Sequence, residues 1–204
     1  MPTSLQAIDL ISLLTHRSFF VRATTGIIVG TLIFFGVWAA SLAWLPDGFF
    51  LALPRPSINT CLQNAWETLR AFLWNLVLTG GLTVFASLFV LNRFPLGYIV
   101  PWMNFALYGG MLGTNSFGCP NPDGAIPISL SVLWTRAGFR ETLGYLLIAA
   151  ALANQHLWKQ PSFFKMQIER VRSWKEFRPN LDAMIGLCTA IFLIAWGAVV
   201  EMMP

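Results

Sequence analysis

The chain has 204 residues, 56% of them hydrophobic and only 11% charged, with nine Trp, 17 Phe and a formal net charge of +4. A mean hydropathy of +0.63 excludes an ordinary soluble domain and a disordered polyelectrolyte. Nucleic acid is not the expected partner either. The basic residues sit beside apolar stretches, where anionic lipid headgroups attract each by roughly 1 kcal/mol.

Residues 1–23 form an N-terminal interfacial segment, with Leu5, Ile8, Ile11 and Leu14 at weak helical spacing. Asp9, His16 and Arg17 interrupt its apolar pattern, and no small-residue cleavage site follows, so it does not read as a signal peptide. Five apolar stretches, charged only at Glu141 and Glu201, follow at Thr24–Leu45, Ala71–Asn92, Leu96–Asn115, Glu141–Trp158 and Ala183–Met203. Each approaches the roughly 20 residues that a helix needs to cross a bilayer. Lipid cannot satisfy a bare N–H or C=O, so such stretches cross as helices.

The first span carries Gly26 and Gly30 in a GxxxG pair, and the third carries Gly109 and Gly113 in another. Small residues mark close helix contacts in membranes, with packing inside one bundle as the default and a homo-oligomer left open. Pro101 is expected to kink the third span, and Asn75 and Asn104 to bond between spans two and three.

The loops after spans one and three are rich in turn residues, from Pro46 to Ile58 and from Asn115 to Ile128. Cys61 and Cys119 both lie on this side. An oxidising compartment would permit a disulfide between them, although spacing alone does not establish its geometry.

Residues 159–182 make a loop in which Phe164, Ile168, Val171, Trp174 and Phe177 recur at helical spacing, interleaved with Lys165, Arg170, Arg172 and Lys175. The pattern predicts an interfacial amphipathic helix over Pro161–Arg178, serving as a connector or as a docking surface.

Five spans place loops alternately on two sides. One side holds Arg17, Arg22, Arg93, Lys159, Lys165, Arg170, Arg172, Lys175 and Arg178; the other holds Arg55, Arg70, Arg136 and Arg140. That asymmetry puts the N-terminus in the cytoplasm and the C-terminus outside, in a bacterial-type inner or internal membrane.

Glu67, Arg70, Arg140, Glu141 and Glu201 converge at the outer ends of spans two, four and five. Charges at that depth pair with one another or face a wet cavity, so an ion-pair layer and a polar vestibule are both open. Enzyme signatures are absent: two histidines, His16 and His156, cannot build a multi-histidine metal centre, and no nucleophile elbow or phosphate loop occurs. No cofactor is expected.

Several segments resemble the stage II sporulation protein M family of integral membrane proteins. They are Trp74-Asn75 at the start of span two, NFALYG over 104–109, AGFRE over 137–141, and the closing IAWGAVVEMMP over 194–204. Phe105 and Ala137 depart from the glycine and histidine of that pattern, while Gly138 and Glu141 match it. The resemblance implies a non-catalytic protein working in larger assemblies, such as wall-remodelling machinery or membrane exporters. It makes Gly138 and Glu141 architectural or site residues.

The expectation is therefore one all-α membrane domain of five transmembrane helices with interfacial amphipathic helices. Its partners are lipids and other membrane proteins. A subunit of a bioenergetic complex and a small transporter component are the alternatives.

Overall fold

The computed structural model describes residues 9–52, 65–116, 138–162 and 167–200. Leu5, Ile8, Cys61, Cys119, Phe164, Lys165, Glu201 and the side chain of Glu67 lie outside the described residues.

The protein is mostly helical. A short helix, α1 (Leu10–Leu14), precedes the long α2 (Phe19–Trp44). Helix α2 stops where Pro46 forces Leu45 into an extended conformation (φ −106°, ψ 144°). The next helical run is built from three pieces: α3 (Ala65–Trp74), a π segment (Asn75–Gly80) and α4 (Gly81–Ser87). Helix α5 (Ile99–Gly113) follows a 3-10 turn over Leu96–Tyr98. Pro101 falls in its first turn, where a missing N–H costs little, so the expected kink has no cause there. Helix α6 (Phe139–Leu152) and helix α7 (Leu181–Val200) complete the bundle. Helices α2 and α7 are each long and apolar enough to cross a membrane.

The pairings fix helix direction. Trp102 Nε1 donates to Gly26 O at 3.0 Å, a Cβ on Gly30 would lie 2.7 Å from the Phe105 ring, and one on Gly113 would lie 2.6 Å from Trp38 O. Numbers rise together on both helices, so α2 and α5 run parallel. Gly144 packs on Ile194 and Ala190 while Gly197 packs on Glu141, so α6 and α7 are antiparallel. Arg22 reaches Ala150 and Gly26 approaches Leu146, so α2 and α6 are antiparallel too. Asn75 meets Glu141 and Leu88 meets Leu157, which sets α3–π–α4 parallel to α6. Successive helical runs therefore alternate in direction.

Helix α6 is buried on nearly every side, including Leu146, Ile148 and the Ala149–Ala151 run. The other runs cover it and turn large apolar side chains outward, among them Leu32 on α2, Val77 on the π segment, Leu82 on α4, Met103 on α5 and Phe192 on α7.

Two expectations are corrected at one end of the bundle. The fold is not all-α: strands β1 (Phe89–Leu91), β2 (Phe94–Pro95), β3 (Trp158–Gln160) and β4 (Glu169–Arg170) form one sheet in the order β2-β1-β3-β4. β1 pairs with β2 as a hairpin, turned by Asn92 at φ 58°, and with β3 in parallel. The amphipathic helix expected over Pro161–Arg178 is replaced, among the described residues, by β4 and a 3-10 turn at Trp174–Glu176. The backbone there finds cross-strand partners in β3, with Val171 N bonding Leu157 O at 2.9 Å, so it does not close on itself as a helix. At the N-terminus, Ile11 and Leu14 lie on the five-residue α1. Residues 153–158 leave the helix after Leu152, ending the fourth run earlier than its apolar pattern indicates.

Candidate functional site: a buried carboxylate under the helix ends

Opposite the sheet, the amino end of α6 meets the π segment and α7. Gly138 caps α6 in the left-handed conformation (φ 67°), a geometry that side chains with a Cβ adopt at a cost. A Cβ there would also collide with the Tyr108 hydroxyl. Three residues on, Glu141 is 5% exposed in the first turn of α6, where the positive helix end favours a carboxylate. Its two oxygens accept from Asn75 Nδ2 at 3.0 and 2.9 Å. Its Cγ would lie 2.7 Å from a Cβ on Gly197, so glycine on α7 makes room for this acid.

Asn75 opens the π segment, and the hydroxyl of Tyr145 is 3.4 Å from its carbonyl oxygen. A π turn frees backbone acceptors from the regular ladder, and such segments recur at functional positions. The arrangement therefore joins the π segment to α6 through one amide, one carboxylate and one phenol, with α7 packed on the carboxylate at Gly197. Chemically it can hold a charge or exchange a proton.

The residues expected at this end divide. Asn75, Gly138 and Glu141 come together. Asn75 turns to the fourth run rather than to Asn104, which is half-exposed on α5 one turn before Tyr108. Arg70 is not drawn inward: it lies exposed on α3 among Trp66, Leu73 and Trp74. Arg140 is half-exposed beside Glu141 in the chain. Gly30, Gly109 and Gly113 serve the α2–α5 contact, with Gly109 against the Phe34 carbonyl, while Gly26 faces Tyr98 in the turn before α5 and Leu146 on α6. Among the described residues, no group of three His, Cys, Asp or Glu side chains could hold a metal ion.

Sequence reasoning missed Arg22. Only 2% exposed, it donates from Nε to Ala150 O at 2.6 Å and from Nη1 to His16 O at 2.6 Å and Arg17 O at 3.0 Å. The guanidinium thus caps the negative end of α6 and ties the α1–α2 turn to it. A charged residue only three positions inside an uninterrupted apolar helix is the signal that points to it.

Known protein families, curated proteins and solved structures were all compared with this chain, and none matches it.

Proposed function

We propose that this chain is a five-span integral membrane protein, with its N-terminus cytoplasmic and its C-terminus outside. In this reading it is a non-catalytic subunit or accessory of a larger membrane assembly, of the kind the stage II sporulation protein M family represents. The observation that carries the reading is the inverted surface. Leu32, Val77, Met103 and Phe192, from four runs, point outward, while Arg22, Glu141 and Thr142 lie inside. A soluble monomer rarely exposes so extended an apolar surface.

The alternation of direction and the gathering of Arg93, Lys159, Arg170, Arg172 and Lys175 at one end agree with five crossings and a cytoplasmic sheet. Helices α5 and α6 are only about 22 and 21 Å long at 1.5 Å per residue. α6 is walled by other helices, so its backbone ends need not reach the headgroups. The burial of Glu141 beneath Asn75 and Gly197 favours a lock between helices over an open vestibule.

The test has two arms. A reporter fused after Glu176 reads cytoplasmic and one inserted near Asp123 reads external; the opposite result at either site overturns the topology. Recovery in mild detergent followed by mass spectrometry yields stoichiometric membrane partners. A protein that moves solute alone in vesicles, with no partner recovered, overturns the subunit reading.

A further inference from the structure

The sheet places aromatic and basic side chains together on one face. In its register Phe89 opposes Trp158 and Trp158 opposes Arg170, so these three share a face. Phe89 and Trp158 stack at 5.0 Å, and Trp174 meets Trp158 edge-on at 5.8 Å. At the other end of this row Phe85 lies 5.2 Å from Phe89. Phe85 is 58% exposed and Trp174 is 56% exposed, so the row runs unbroken from the outward face of α4 onto the sheet.

The charges on this surface are sorted. Glu169 lies opposite Lys159 on the other face, with the buried Val90. Glu176 is engaged with the Ser173 N–H in a capping box. Arg172 is held by Asn154 O and Gln155 Oε1, both at 3.1 Å. Arg170, whose Nε donates to Arg172 O at 3.2 Å, and Lys175 are the exposed cations beside the aromatic row. Indole and phenyl rings flanked by cations match the boundary between acyl chains and anionic headgroups.

We propose that this face is a docking surface for the anionic headgroup layer of the protein's own membrane. Trp158 and Trp174 sit at the acyl boundary, and Arg170 and Lys175 meet lipid phosphates. The inference rests on the membrane reading above. It adds that the sheet is ordered by lipid charge, so lipid composition sets the order of the cytoplasmic end.

The full chain is placed in nanodiscs of phosphatidylcholine, with or without phosphatidylglycerol, and hydrogen exchange is followed over 167–178 and over α2 and α7. Phosphatidylglycerol is expected to slow exchange over 167–178 by about fivefold per basic residue, on the order of thirtyfold for Arg170 and Lys175 together, and high salt to erase the difference. Arg170→Gln with Lys175→Gln removes the lipid dependence and leaves α2 and α7 protected. Equal exchange in both lipids, with α2 and α7 protected, overturns the docking surface and leaves the membrane reading intact. Protection by added polyglutamate but not by phosphatidylglycerol overturns it in favour of an acidic protein. Failure to enter nanodiscs at all overturns both.

Discussion

The Asn75–Glu141 contact yields the sharpest energetic test. Asn75→Leu removes the amide that both Glu141 oxygens accept from, at 3.0 and 2.9 Å. Hydrogen bonds to charged groups contribute about 1.5–3 kcal/mol in water-soluble proteins. Polar pairs between membrane helices average nearer ~0.6 kcal/mol and reach ~1.7, because separated helices find other partners in lipid. The acceptor here is a carboxyl group 5% exposed at the positive end of α6, so a coupling energy near the top of the bilayer range, about 1.5 kcal/mol, is expected. The assay is reversible unfolding in mixed micelles of the wild type, Asn75→Leu, Glu141→Leu and the double variant, analysed as a double-mutant cycle. Glu169→Ala, on the exposed β4, serves as the control and stays within about 0.5 kcal/mol. A coupling below about 0.3 kcal/mol, with Glu141→Leu no worse than Glu169→Ala, would refute the picture of a buried interhelical lock.

Further expectations concern packing and charge elsewhere. Gly109→Ala drives a Cβ into the Phe34 carbonyl and costs about 1–3 kcal/mol, whereas Gly36→Ala meets nothing within 4 Å and stabilises by up to about 1 kcal/mol; thermal unfolding in detergent distinguishes them. Arg22→Lys cannot span the carbonyls of His16, Arg17 and Ala150, so it loses at least about 2 kcal/mol and exposes the α1–α2 turn to proteolysis. His156, beyond the end of α6, has its pKa held below the ordinary 6.5 by burial, backed by the nearby Arg172 and Lys159 charges. The unfolded chain then binds the proton more readily, so stability is full above about pH 6.5 and falls as pH drops below it. His156→Phe flattens that part of a stability–pH profile, and an unchanged slope would show that His156 is hydrated.

The helical runs were legible because their signal is local. A stretch such as Ala183–Met203, free of charge and proline from Ala183 to Val200, has few ways to satisfy its backbone except as a helix, and α7 occupies Leu181–Val200. Gly30 and Gly113 stood out as packing glycines for a related reason, because they lack the atom that would keep two backbones apart, but that they bring α2 against α5 was not legible. Glu141 stood out as an acid at the edge of an apolar stretch, and its burial follows from that position.

What decided the rest was distance along the chain. Asn75 and Glu141 are partners across two intervening segments, and no periodicity shows which helix a polar side chain will face. The aromatic positions of 164–177 fit a helix as a pattern, yet β3 and the preceding Leu157 supply backbone partners to 169–172 and the rings of Trp158 and Trp174 meet instead. Strands of two or three residues are too short to leave a period, so the sheet arises only from where four helix ends are brought together. Arg22 reads in sequence as one more basic residue near a membrane. Only the fold places the end of α6 beside it, where bare carbonyls need a donor.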